Sequence, residues 1–336
     1  MTGLELLKMK KLKIGNIELK NNMILAPMAG ITDLPLRLLA KSGGAGLVYT
    51  EMASAKALIH HDEKTKRLLE ISDNEKPVTV QISGGDSYTM AEAAKIARDK
   101  GADIVDINLG CPARKVAKAG AGVKLLSNKR LVHEILETVV KSVTIPVTIK
   151  IRIGLLPGQN VASEIIKIAQ NSGIKMVAVH ARYASQGHFG TPDLQSFAEA
   201  CFGAKIPIVA NGGIVDEKTA AGFFNIPDCS GIMIGRGAIG NYSIFKRLEK
   251  FLNYDETLPV ASKNEKIEWL KQHAQYSIDC YGEKRGLVLM RKVAHYYVKD
   301  FLNATKIRCI INTMVTLADF SNLIEFIVNN ASQQNA

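Results

Sequence analysis

Eight times between Met23 and Gly237 an apolar, β-branched run of strand length ends in a polar or glycine-bearing turn and leads into a helix-like stretch. In order the runs are MILAPMAG, GLVYTEM, VTVQISG, IVDINLGCP, VTIKIRIG, MVAVHARYASQ, IPIVANGGI and GIMIGRG. The stretches between them, among them MAEAAKIARDKG, LVHEILETVVKS and ASEIIKIAQNSG, place apolar residues three and four apart and mostly stop at a glycine. That spacing predicts amphipathic helices. Runs apolar on both faces are expected of buried parallel strands, and eight βα units are the number that closes a barrel. From about Lys246 the alternation gives way to helical patterns alone. The expected architecture is therefore α/β: a (β/α)8 TIM barrel over 1–245, then a small all-helical domain over 246–336, joined through a stretch containing NYDETLP.

A barrel concentrates its chemistry at the C-terminal ends of its strands. Those ends here are Pro27 and Met28, Glu51, Gln81, Asn108 and Cys111, Lys150, His180, Asn211, and Gly235 with Arg236. Strand seven ends in ANGGI and strand eight in GRGAIG. The amides of Asn211, Gly212, Gly213 and Gly235–Gly237 thus make a candidate phosphate cradle. Gly235–Gly240 also fits G-x-G-x-x-G, but it closes the series of units instead of opening one, which favours a mononucleotide over a dinucleotide. In APMAG, Ala26, Ala29 and Gly30 let a flat ring approach the backbone, and Gln81, Lys150 and His180 offer groups for its heteroatoms. These groups suit a reduced isoalloxazine. A Schiff-base lysine at Lys150 is the rival reading.

Charge adds a partner. The chain of 336 residues is ordinary in its 47% apolar and 22% charged content, yet it carries a net +11, which favours a polyanion. The basicity is local: Arg114, Lys115, Lys118, Lys124, Lys129 and Arg130 crowd the loop 113–130, which holds no acid, whereas 246–336 nets only +3. Lys292, His295 and Lys299 recur at helical spacing opposite Leu289, Val293 and Tyr296. Five cysteines without a C-x-x-C pair suggest neither a disulfide framework nor a zinc site. No run reaches the roughly 18 apolar residues of a membrane span, and MTGLELLKMKKLKIG lacks a signal peptide's apolar core. A cytoplasmic protein without a metal, and monomeric, is expected.

The strings APMAGITD, TEM, DINLGCP, KVAKAGAGVKLL, TIKIRIG, NGGI and MIGRGAIGN resemble the tRNA-dihydrouridine synthase family. The resemblance covers roughly residues 12–245 closely and continues more weakly in MRKVAHYY. It implies FMN as cofactor, NADPH as reductant, and reduction of the uracil C5–C6 double bond in tRNA. It carries the family's catalytic cysteine to Cys111 and its FMN contacts to Pro27, Met28, Ala29, Gln81, Lys150, His180, Asn211, Gly212, Gly213, Gly235 and Arg236. Asn108 would lie beside the uracil, and Arg114, Lys115, Lys118, Arg182, Gln186, Arg291 and Lys292 would meet RNA. A thiol is a suitable proton donor near neutral pH, and a stacked base must be turned out to reach it. The sequence departs from the family at Tyr183, Ala184, His188 and Val293. A flavin barrel acting on a free pyrimidine such as dihydroorotate would explain the cofactor site but not the basic loop. The same residues are also compatible with a synthase acting on ribosomal RNA and with an RNA-binding protein without turnover.

Overall fold

The computed structural model describes residues 11–332. The start of the stretch read for a signal peptide and the last residues of the expected helical domain lie outside them. Eight parallel strands form the barrel: β1 (Met23–Leu25), β2 (Val48–Tyr49), β3 (Val78–Ser83), β4 (Ile104–Leu109), β5 (Val147–Arg152), β6 (Val177–His180), β7 (Ile208–Asn211) and β8 (Cys229–Ile234). Each pairs with its neighbour in sequence, and β8 returns to β1. A parallel bridge between Ile24 and Leu47 closes the ring, with the Leu25 amide donating to the Leu47 carbonyl at 2.9 Å. Ala53–Ser54 adds a short pairing to the end of β3.

After all but the second strand the chain returns through a helix of the outer layer. These are α1 (Leu34–Ser42), α2 (Ser87–Asp99), α3 (Lys129–Ser142), α4 (Ala162–Asn171), α5 (Leu194–Cys201), α6 (Glu217–Phe224) and α7 (Ile244–Tyr254). Asp33, Asp86, Asn128, Asp193 and Asp216 each accept a first-turn amide of the helix they precede; such caps contribute about 1 kcal/mol apiece. Two short helices, Ala55–Ile59 and Glu63–Arg67, stand where a second barrel helix would be.

The lumen is layered. An N-terminal hairpin, Lys13–Ile14 with Ile17–Glu18, plugs the bottom through Leu12, Ile14 and Leu19, which join Ile24, Tyr49, Ile104, Ala178, Val209 and Met233 in one apolar cluster. Above it the inward positions turn polar. The parallel register sets Gln81 beside Asp106, Asp106 beside Thr148, Asn108 beside Lys150, and Arg152 and Asn211 each beside His180.

Helix α7 runs unbroken past residue 245, so the sequence-based boundary at 245/246 falls inside a helix. The change to helices alone comes after it, with α8 (Lys263–Tyr281), α9 (Glu283–Tyr297), α10 (Ala304–Thr313) and α11 (Leu317–Ser332). A capping box at Ser262 and Glu265 starts α8. This C-terminal region is fastened to the barrel by a buried polar chain. The Tyr242 and Tyr297 hydroxyls lie 2.6 Å apart, and Tyr297 also meets His273 Nδ1 at 2.7 Å. Trp269 packs edge-on against Tyr242 with centroids 5.7 Å apart.

Candidate active site

At the C-terminal mouth of the barrel lies a cleft of about 440 Å³. Its walls include Pro27, Met28 and Ala29 after β1, Gln81 at the end of β3, and Asn108 and Cys111 at the end of β4. Lys150 and Arg152 on β5, His180 and Arg182 after β6, Asn211, Gly212 and Gly213 after β7, and Gly235 and Arg236 after β8 complete them. The lining contains four cationic side chains, Lys150, Arg152, Arg182 and Arg236, and no carboxylate.

A hydrogen-bonded relay crosses three strands to hold the loop that bears Cys111. Asp106, wholly buried, accepts from Thr148 Oγ1 at 2.7 Å and from Gln81 Nε2 at 2.8 Å. Gln81 Oε1 accepts from Asn108 Nδ2 at 2.9 Å, and Asn108 Oδ1 accepts the amides of Gly110 at 3.1 Å and Cys111 at 2.9 Å. Burial lifts the Asp106 carboxyl to about 6, against the hydrogen bonds from Thr148 and Gln81 that favour its charged form. The Cys111 carbonyl is held as well, by the Val123 amide at 3.0 Å. Gly122 allows that return: its φ is +63°, and a Cβ there would stand 2.6 Å from the Cys111 carbonyl oxygen.

Lys150, Arg152 and Arg182 are desolvated and close to one another, whereas Arg236 is exposed. Burial, with Arg152 beside it, pushes the Lys150 ammonium down to about 8. Arg152 donates to the Gly110 carbonyl at 3.0 Å and to the Tyr183 carbonyl at 3.1 Å, tying the loop after β4 to that after β6. Burial and the surrounding Lys150, Arg152 and Arg182 drive His180 far below the ordinary imidazole value, so the ring is neutral. Its Nε2 faces Arg182 Nη1 at 3.2 Å, and since a guanidinium only donates, the proton sits on Nδ1. Gly212, at φ +115°, lets the backbone pass the His180 ring, which a Cβ would meet at 2.7 Å.

Of the residues singled out in the sequence, Cys111, Asn108, Arg182 and all eleven candidate cofactor contacts converge on this cleft. Arg114, Lys115 and Lys118 do not line it; they lie exposed on a short helix, Arg114–Lys118, beyond Cys111. Gln186 is occupied locally, accepting the Tyr183 amide at 2.7 Å. Arg291 caps α10 through the Met314 and Thr313 carbonyls. Lys292 lines a second cleft, between barrel and helical region, with Asp33 and Glu51. Lys129 is not unbalanced: it pairs with Glu164 of α4.

The sequence reading left out Arg152, Asp106 and Thr148. The first two had a signal, since Lys150 with Arg152 and Asp106 with Asn108 are spaced two apart on one strand and share its inward face. His188, a departure from the family, faces the cleft and stacks on His180 with centroids 6.0 Å apart. Among the described residues no helix is long and apolar enough to cross a membrane, and no group of three or more His, Cys, Asp or Glu is placed to hold a metal ion.

Known proteins match on both sequence and fold. The chain is 38% identical to a probable tRNA-dihydrouridine synthase of Rickettsia bellii, covering 90% of this chain and 93% of that protein. It is likewise 38% identical to tRNA-dihydrouridine synthase B of Pasteurella multocida, over 93% of this chain and 96% of the other. Among solved structures, histamine dehydrogenase from Rhizobium sp. 4-9 aligns with a TM-score of 0.56 at 15% identity, over 74% of this chain and 48% of that one; at that identity the likeness concerns the barrel fold alone. The dihydrouridine synthase model matches residues 24–334. A barrel whose strand ends converge on one cationic cleft, with that match over nearly its whole length, makes the chain a member of the dihydrouridine synthase family.

Proposed function

We propose that this chain converts specific uridines of tRNA to 5,6-dihydrouridine, with FMN as the bound cofactor, NADPH as the reductant and Cys111 as the proton donor. The observation that carries the reading is the cleft itself: a cysteine at the mouth of a pocket lined by four cations and no carboxylate. The residues suit FMN. Clustered amides from Asn211 to Gly213 and from Gly235 to Gly237 suit its phosphate, the backbone around Ala29 a flat ring, and Lys150 the negative charge of a reduced ring. When bound, the flavin supplies a hydride to C6 of the uracil.

The protein's own part is to orient the base and deliver a proton. The Cys111 thiol gives its proton to C5, on the face opposite the hydride, while the relay through Asn108 and the Val123 amide keep its backbone in place. One Asn108 Nδ2 hydrogen is committed to Gln81, which leaves the other for a uracil carbonyl. Arg152 keeps the loops after β4 and β6 together over the reacting base. The exposed Arg114, Lys115 and Lys118 meet RNA phosphates outside the cleft.

The test combines the purified protein with NADPH and unmodified tRNA, then digests the RNA and weighs its nucleosides. A gain of two hydrogens at particular uridines supports the reading. No gain, with the bound flavin still reduced by NADPH, overturns it in favour of ribosomal RNA or a free pyrimidine.

A further inference from the structure

Phe189 is 83% exposed, among the most solvent-exposed large apolar side chains of the described residues. A single exposed aromatic is ordinary on a protein surface; the backbone beneath this one is not. The Phe189 amide closes a turn onto the Gln186 carbonyl at 3.0 Å. On one side the His188 carbonyl accepts from Arg236 Nη2 at 3.2 Å. On the other the Gly190 carbonyl accepts from Arg182 through Nε at 3.2 Å and Nη2 at 2.8 Å. Two arginines that line the active cleft thus hold the residues before and after Phe189, so the ring stands at the rim of the mouth on a braced turn.

The surroundings select the occupant. The rim beside the ring carries the Arg182 and Arg236 guanidiniums, and the cleft lining holds no acid, which favours an anion as the ligand crossing it. An apolar protein partner would leave those cations desolvated and unpaired. A polyanion with flat bases satisfies both: phosphates near the guanidiniums, a π-face on the phenyl ring. Aromatic rings used in this way bind single-stranded nucleic acid without reading its sequence. When one nucleotide is turned out into a pocket, its neighbours lose stacking partners and need replacements.

We infer that Phe189 is a stacking platform for an unpaired nucleobase that neighbours the uridine turned out into the cleft. The inference rests on the proposed action on RNA.

Its test compares the flavin-loaded wild-type protein with Phe189→Ala, Phe189→Leu and Phe189→Trp, using an unmodified tRNA transcript as the probe. Stacking losses on this scale correspond to about 5- to 150-fold in affinity. Phe189→Ala and Phe189→Leu should weaken tRNA binding and raise KM within that range, with kcat for dihydrouridine and NADPH-driven flavin bleaching unchanged. Phe189→Trp should retain binding, and its added tryptophan emission should be quenched by tRNA. Equal affinity and KM in Phe189→Ala overturn the inference while leaving the proposed reaction intact. So does wild-type behaviour in Phe189→Leu, which would reduce the contact to apolar area. Slower bleaching in Phe189→Ala would assign the ring to the nicotinamide, and a change in sedimentation to a contact between copies; either overturns the inference. Absence of tRNA binding by the wild type overturns the inference and the reading beneath it together.

Discussion

Asn108 Oδ1 accepts the Cys111 amide at 2.9 Å, so the side chain that ends β4 fixes the backbone of the residue proposed to give up a proton. The same oxygen takes the Gly110 amide, and the whole amide group is braced through Gln81 to the buried Asp106. Asn108→Ala strips an acceptor from two amides, at about 1–3 kcal/mol for a buried unpaired group. Turnover should fall roughly 10- to 100-fold. Flavin content, read from the visible absorbance of the purified variant, should stay near the wild-type level.

Cys111→Ala should separate the two halves of the reaction. Bound flavin should still bleach with NADPH at the wild-type rate, while formation of dihydrouridine drops by about 10²- to 10⁴-fold, the usual size of a lost general acid. Single-turnover mixing of reduced enzyme with tRNA measures the second step; full turnover there would remove the thiol from the mechanism.

Lys150 gives a pH signature. Burial holds its ammonium at about 8, below the ordinary 10.5, so the cation is present below that pH and lost above it. The rate of flavin bleaching by NADPH, a step that does not use Cys111, should therefore decline between about pH 7 and pH 9. Lys150→Arg should move the decline to higher pH, since a guanidinium does not titrate in this range.

His273 acts on stability. It is buried, and burial lowers its pKa to about 3 from an ordinary 6.5. A depressed histidine leaves stability intact above about pH 6.5, and stability is lost as pH falls from there toward 3, because the unfolded chain binds the proton first. Between pH 6.5 and 5 the loss is on the order of 2 kcal/mol. Urea unfolding of His273→Phe should show a correspondingly smaller difference between these two pH values than the wild type.

Lys115→Glu, on the exposed helix after Cys111, should leave flavin binding untouched and weaken tRNA binding. The slope of log affinity against log salt should become shallower by about one phosphate contact or more. Binding measured at several salt concentrations decides it; an unchanged slope would place the RNA elsewhere.

Much of this was legible in the linear sequence because a barrel repeats its signal. Each apolar run had to end at the same rim, so Gln81, Asn108, Lys150, His180 and Asn211 could be grouped before any fold was in hand. The lateral relations were hidden. That Thr148 steadies Asp106, and Asp106 steadies Gln81, depends on the stagger of β3, β4 and β5, which residue spacing within one strand does not encode. The helical region was read less fully for a related reason. Arg291 looks like a free basic group in the sequence, but its partners, the Thr313 and Met314 carbonyls, lie beyond a change of chain direction. The tail of α7 escaped because the last strand signal ends near Gly237 and nothing in the residue pattern distinguishes the helix after it, Ile244–Tyr254, from the helices beyond the break at 255–262.

The chain of hydroxyls and imidazole at Tyr242, Tyr297 and His273 also bears on how such proteins are recombined. Tyr242 precedes α7 in the barrel, whereas its partners belong to α9 and α8. A barrel cut free after α7 would open the Tyr242 phenol and its ring face to water. A foreign helical region grafted there must bring a hydroxyl to the place of Tyr297 and an aromatic to that of Trp269. The junction thus works as a compatibility code, and chimeras between relatives should be chosen by that trio before they are chosen by overall similarity.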